Sequence, residues 1–106
     1  MHPPNPILAK AYERVKHAKD EYKQASAAFE HCDAERQHAL DLAAKMCDEL
    51  GKNPANEALR KSFIAQTDHL GAITKKYEQL SDKVEEAYKT FAAAAHNYNA
   101  MAEKFH

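Results

Sequence analysis

Histidines stand beside carboxylates at helical spacing in the first half of this chain. His31, Glu35 and His38 recur at one-turn intervals, so they share one face if the segment is helical. Glu35-x-x-His38 also matches half of the ligand set of di-metal helical bundles. That chemistry needs a second such motif and two more inward Glu residues, which the second half does not supply. We therefore expect a hydrated, histidine-rich surface, with no metal ion or other cofactor bound.

The two cysteines are the only candidate nucleophiles. Cys32 and Cys47 lie on one predicted helix, about 22 Å apart at 1.5 Å per residue, which is too far for a disulfide. Neither has the Cys–His–Asx setting of a catalytic thiol, and there is no Gly-rich phosphate loop or Ser-centred elbow. The sequence predicts that the chain is not an enzyme.

Charge and hydropathy disfavour two classes of partner. The net charge is −1, with acidic and basic residues interspersed, so no basic stripe follows a nucleic-acid backbone. No run approaches the ~20 apolar residues of a membrane span, and the first residues lack the basic and apolar stretches of a signal peptide. Unpaired thiols favour a reducing compartment. We expect a cytoplasmic location, with leaderless secretion left open.

Each half of the chain carries an apolar heptad repeat that predicts the architecture. The two repeats are called the seam below. In the first half it consists of Leu8, Val15, Tyr22, Phe29, Arg36, Ala43 and Leu50, with Ala11, Ala18, Ala25, Cys32, Ala39 and Met46 three places along. In the second half it consists of Phe63, Leu70, Tyr77, Val84, Phe91, Tyr98 and Phe105, with Leu59, Gln66, Ile73, Leu80, Ala87, Ala94 and Met101. An apolar 3–4 spacing this long is typical of a coiled coil.

Proline and asparagine pairs indicate where the helices begin. Asn5-Pro6 and Asn53-Pro54 each place an N-cap before proline at the first helical position, and Gly51 suits a left-handed C-cap. We predict an all-α chain, a single hairpin domain over residues 1–106, with helices at 6–50 and 54–105 and a turn at 51–53. Gly71 is the weak point of the second helix, and a three-helix bundle broken there is the alternative.

The short turn also predicts how the helices align. Centring the hairpin near Lys52 sets Arg36 opposite Gln66 as a polar layer, which would fix register and oligomeric state at some cost in stability. The same alignment sets Phe29 opposite Ile73 and Ala39 opposite Phe63. Sliding by one heptad leaves Arg36 facing Ile73 and lengthens the turn, so we prefer the first alignment.

With that alignment the second helix outruns the first. Tyr98, Met101 and Phe105 would project beyond Ile7 as an aromatic and methionine patch, which usually marks an interaction surface. In the alternatives, the Pro-rich N-terminal segment folds back over the patch or the last turn frays.

A second stripe beside the seam carries little charge. We call it the soft flank: Tyr12, Ser26, Leu40 and Cys47 on the first helix, and Thr67, Thr74, Ser81, Tyr88, Ala95 and Ala102 on the second. The opposite side, the charged flank, contains Glu21, Glu35, Glu49, Lys76, Lys83 and Lys104. Small, uncharged side chains let another helix approach closely, so we expect two hairpins to pair as a four-helix bundle.

In length and hairpin shape the chain resembles small secretion-system substrates that carry Trp-x-Gly at the turn. Here the turn reads Leu50-Gly51-Lys52, without Trp, so the resemblance covers architecture only. The leading hypothesis is a homodimeric helical hairpin that binds another protein as adaptor, chaperone or inhibitor. The alternative is a leaderless secreted or structural hairpin, and a metal-binding bundle is the remote one.

Overall fold

Two long helices make up nearly all of the chain. The computed structural model describes residues 5–105, in which α1 spans Pro6–Lys52 and α2 spans Glu57–Lys104. These residues contain no strand, and the predicted all-α helical hairpin is confirmed. The three-helix alternative is wrong, because α2 continues through Gly71 without interruption.

The predicted start of α1 is confirmed in detail. The Asn5 side-chain Oδ1 accepts hydrogen bonds from the amides of Ile7 at 2.9 Å and Leu8 at 3.4 Å, and the Asn5 carbonyl accepts one from the Ala9 amide at 2.9 Å. This is the N-cap geometry that satisfies the first free amides of a helix. Pro6 takes the first helical position, where its missing N–H costs nothing.

The turn between the helices differs from the prediction of residues 51–53. Helix α1 continues through Gly51, and no glycine among the described residues has positive φ. The carbonyl of Asn53 accepts the amide of Asn56 at 3.1 Å, which closes a β-turn with Pro54 at its second position. Asn56 then caps α2, because its Oδ1 accepts the Leu59 amide at 3.1 Å. Asn53-Pro54 is a turn signal here, not an N-cap.

The residues fall into two compact units, each described separately. The turn unit is Ala28–Leu80, and the terminal unit joins the residues up to Ala27 with those from Ser81 onwards. In the turn unit, Cys32, Ala39 and Ile73 form the buried cluster. Three half-buried residues pack against it: Leu70, Tyr77 and Leu80. The Cys32 thiol donates a weak hydrogen bond to the Ile73 carbonyl, with sulfur and oxygen 3.9 Å apart.

Aromatic pairs hold the two helices together in the terminal unit. The rings of Tyr12 and Tyr98 lie 5.8 Å apart, and Tyr22 lies 5.8 Å from Tyr88 and 6.2 Å from Phe91. Tilted ring pairs at these distances contribute about 0.5–1.5 kcal/mol each beyond their buried area.

Burial along both helices follows the predicted seam. Every α1 seam position is buried or half-buried, and so is every α2 seam position except Phe105. The fully buried α1 residues are small: Ala11, Ala18, Cys32, Ala39 and Ala43. On α2 only Ile73 is fully buried, so the large seam residues of that helix keep part of their surface in water.

The predicted alignment of the helices is wrong. In the turn unit, Gln66 bonds to Ala39 and Phe29 stacks on Tyr77, three to four residues further along α2 than predicted. In the terminal unit, the predicted alignment would set Tyr22 opposite Leu80, but Tyr22 contacts Tyr88 and Phe91. The reason is the turn: its centre lies between Lys52 and Glu57 and not at Lys52.

Gly71 offers a direct test of helix continuity. A Cβ built there meets no atom within 4 Å, and the residue is helical, so Gly71→Ala should raise the free energy of unfolding by about 0.5–1 kcal/mol. Urea unfolding followed by circular dichroism measures the change. The neighbouring exposed Ala72→Gly should lower it by a similar amount. A destabilising Gly71→Ala would contradict an unstrained helix at this point.

Candidate protein-binding surface

Arg36 lies in the turn unit with its guanidinium over an aromatic ring. Its Cζ is 4.5 Å from the Tyr77 ring centroid, within the range of a cation–π contact. Its Nη2 lies 3.7 Å from Oδ1 of Asp33 on the same helix. The Nε of Arg36 is buried without a hydrogen-bond partner, so part of this charge is desolvated without compensation.

Gln66, the other member of the predicted polar layer, bonds elsewhere. Its Nε2 donates to the Ala39 carbonyl across the helix pair at 3.1 Å. The predicted juxtaposition of Arg36 and Gln66 is therefore replaced by two separate polar contacts, because the helices align differently. That these residues set the register stays a prediction.

The end of α2 does not project as predicted. Tyr98 stacks on Tyr12, and both Tyr98 and Met101 are half-buried. Phe105 is 49% exposed. The expectation of an uncovered patch is wrong for Tyr98, which packs against Tyr12 because the turn sits later than expected. The exposure of Phe105 agrees with it.

The soft flank carries large hydrophobic side chains in water. Tyr12 is 51% exposed, Tyr88 56% and Leu40 42%, and Cys47 is exposed as well. Tyr12 and Tyr88 nevertheless touch the seam tyrosines Tyr98 and Tyr22, so their rings are held in place while one side faces solvent.

A further exposed residue extends this surface. The heptad position of the soft flank also contains three charged residues, Lys19, Asp33 and Arg60, which we count with the soft flank from here on. Residues four places after each position of this series form what we call the outer stripe, which lies about 40° further round the helix. It includes Ile64, which is 58% exposed. Ile64 is absent from the predicted interface, because the soft flank does not include this heptad position. Its position beside Arg60 and Thr67 of the same helix face was the available signal.

The charged flank contains two open grooves, and its exposed large hydrophobic residues are Ile7 and Leu42. In the terminal unit a groove of about 440 Å³ has Ala18 and Ala94 among its lining, with Arg14 and Glu21 among the polar residues. In the turn unit a groove of about 190 Å³ is lined by Glu35, His38, Ala39, Leu42, Gln66, His69 and Ile73. The grooves lie beside small seam residues such as Ala18 and Ala39, whose side chains do not fill the space between the helices.

Two of the three histidines of α1, His17 and His31, lie beside carboxylates on the helix surface. His17 lies 3.1 Å from Glu21, and His31 lies 2.9 Å from Glu35. Both pairs join side chains one turn apart. Within residues 5–105, no three His, Cys, Asp or Glu side chains come together in a way that could hold a metal ion.

Over the residues that the structure describes, neither α1 nor α2 is long and apolar enough to cross a bilayer.

Comparisons with known proteins give no relative. The chain matches no protein-family model, no curated protein and no solved structure. The proposed function therefore rests on the exposed residues described above.

A double-mutant cycle tests the contact of Arg36 with Tyr77. Arg36→Met and Tyr77→Leu should show a coupling energy of about 0.5–1 kcal/mol in urea unfolding, since each single change already removes the cation–π contact. The matched cycle of Arg36→Met with Gln66→Leu should give a coupling near zero. A larger coupling with Gln66 than with Tyr77 would contradict the alignment described above.

Thiol labelling distinguishes the two cysteines. Cys32 is 1% exposed and Cys47 is exposed, so a thiol reagent should modify Cys47 at once and Cys32 only when the hairpin opens. In a Cys47→Ala variant, the labelling rate should rise with urea in parallel with unfolding. Equal labelling rates for both thiols in the native protein would show that the turn-unit core is open.

Proposed function

We propose that this chain is a non-enzymatic protein–protein interaction module of adaptor, chaperone or inhibitor type. It acts through a coiled-coil helical hairpin and presents the soft flank and outer stripe to a helical partner. The single observation that carries this proposal is the incomplete burial of the hydrophobic residues: α2 buries only Ile73.

The exposed area supports the same conclusion. The chain exposes 8213 Å² for a mass of 11.9 kDa, where a compact monomer of this mass exposes about 5,900 Å². The excess is larger than the ~800 Å² that each partner contributes to a standard interface. Association is the usual way in which a chain with so thin a core gains burial.

The distribution of exposed hydrophobic residues favours one side of the helix pair in each unit. In the terminal unit the soft flank presents Tyr12 and Tyr88, and in the turn unit Leu40 with Ile64 of the outer stripe beside it. Aromatic and aliphatic side chains on a rigid helical surface are the anchors that partner helices use. Tyr98 packs against Tyr12 of this surface, Met101 is half-buried, and Phe105 directly follows α2.

The open shape and the lining of the two grooves fit a non-enzymatic role. Catalytic sites are usually concave pockets with convergent polar groups. The two grooves on the charged flank are open, and the groove of the terminal unit has alanines and surface charges among its lining. The exposed hydrophobic residues of the soft flank are the more pronounced feature.

Affinity capture tests the function. The tagged wild-type chain should retain one or more other proteins from a lysate of its source cells, in near-stoichiometric amounts by mass spectrometry. Leu40→Lys with Tyr88→Lys should abolish capture, because a charge in the centre of an apolar contact is costly. Both side chains are exposed, but Tyr88→Lys also removes the ring pair with Tyr22, so circular dichroism and urea unfolding must show that the double variant is folded under the conditions of capture.

The control pair lies on the other side of the hairpin. Ile7 and Leu42 have similar exposure, one in each unit, and Ile7→Lys with Leu42→Lys should leave capture unchanged. The proposal is wrong if the wild type enriches no other protein, or if both variants retain the same proteins as the wild type.

A further inference from the structure

We infer that the soft flank and outer stripe bind a second copy of this chain, with the turns of the two hairpins at opposite ends. In this arrangement α1 stacks antiparallel on the α1 of the partner, and the terminal unit of each copy covers the turn unit of the other. The inference rests on the proposed function, because it assigns an occupant to the same surface.

Helix geometry makes this surface suitable for a second hairpin. At 100° per residue, the soft flank and outer stripe are centred about a quarter turn away from the seam. Each helix of a four-helix bundle contacts two neighbours on faces related in this way. The seam therefore serves the contact within one chain, and the soft flank with the outer stripe serves the contact between chains.

The charges on this surface differ in sign between the two units. In the terminal unit, the described positions of the soft flank and outer stripe carry three lysines, Lys16, Lys19 and Lys23, and one carboxylate, Glu85. In the turn unit, the same positions carry four carboxylates and one arginine: Glu30, Asp33, Glu57, Glu78 and Arg60. Except for Asp33, which is half-buried, all of these residues are exposed.

When α1 of one copy is laid antiparallel on α1 of a second copy, positions of opposite charge face each other. With Ser26 at the two-fold axis, Lys19 of one copy comes opposite Asp33 of the other, and Lys23 comes opposite Glu30. Tyr12 then faces Leu40, which pairs two of the exposed hydrophobic residues. In a two-fold interface each of these contacts occurs twice.

The opposite orientation is disfavoured by the same charges. With both turns at one end, the basic surface of one terminal unit meets its own copy, and the acidic surface of one turn unit meets its own copy. Like charges across an interface suppress the wrong pairing. Helix α2 contributes less to the choice, because opposite turns bring Glu78 of one copy toward Glu85 of the other.

Small residues on α2 allow the approach that stacking needs. The turn unit presents Thr67, Gly71 and Thr74 on this surface, and the terminal unit presents Ala92 and Ala95. A Cβ added at Gly71 meets nothing within 4 Å, so this part of the surface is open to a neighbouring helix.

Sedimentation and energy transfer together test the inference. The purified wild-type chain should sediment as a dimer. Fluorophores on Asp48→Cys of both copies, in a Cys47→Ala background, should show little energy transfer, because the exposed position 48 lies outside the soft flank and outer stripe and the two sites lie about 65 Å apart at 1.5 Å per residue along α1. A donor on Lys10→Cys, also exposed and outside this surface, should transfer efficiently to an acceptor on Asp48→Cys of the other copy. A monomer at all concentrations, or efficient transfer between the two Asp48→Cys sites, would overturn the inference.

Charge exchange tests the residues themselves. Lys19→Glu with Lys23→Glu should weaken the dimer at least about tenfold, because the substitutions act twice in a two-fold interface. Glu30→Lys with Asp33→Asn should weaken it as well, and an equimolar mixture of the two variants should dimerise again. Lys83→Glu with Lys104→Glu, the same charge change on the charged flank of the same unit, should leave the dissociation constant unchanged. An equal loss in this control, or no recovery in the mixture, would contradict the assigned contact.

The two proposals can fail separately. If the chain is monomeric but still captures another protein through Leu40 and Tyr88, the dimer is wrong and the interaction module stands. If the chain dimerises as described but captures no other protein, the dimer stands and the adaptor, chaperone or inhibitor role is wrong.

Discussion

The packing of small residues of α1 against large residues of α2 is the constraint on which the rest of the structure depends. Ala39 packs in one cluster with Ile73 and Leu70 of α2, and Ala11 and Ala18 are buried at the equivalent small positions of the seam. Interdigitation of small with large side chains keeps two helices at a constant distance. Two helices cannot surround a large side chain, however, so the residues that contribute most apolar area are the ones left half-exposed.

Polar groups within the seam add specificity to this thin core. The amide of Gln66 is satisfied by the Ala39 carbonyl across the pair, so a shift of one helix along the other would leave a polar group without its partner. Arg36 adds a second directional contact through the Tyr77 ring. Alanines pack almost equally well in several alignments, so the prediction that Arg36 and Gln66 set the register now rests on these two contacts.

The sequence was sufficient for the seam but not for the alignment. A heptad repeat follows from helix geometry alone, and so the inward positions from Leu8 to Met101 could be assigned residue by residue. Alignment depends on the turn, where Asn53-Pro54-Ala55-Asn56 offers two asparagines that could each cap α2. Only the β-turn hydrogen bond between Asn53 and Asn56 decides between them. The misplaced turn then produced two errors, the Arg36–Gln66 pairing and the projecting end of α2.

In a chain with so little buried surface, the free energy of unfolding and the free energy of binding are coupled. A partner that covers Tyr12, Tyr88 or Leu40 binds only the folded hairpin, so its binding free energy adds directly to the free energy of unfolding. The large seam residues of α2 gain most from such coverage, because they are half-exposed in the single chain. Substitutions in the core should therefore alter binding, and substitutions on the soft flank should alter the apparent stability of the complex. If the proposed function is right, the limited burial that weakens the isolated hairpin also makes its fold responsive to a partner.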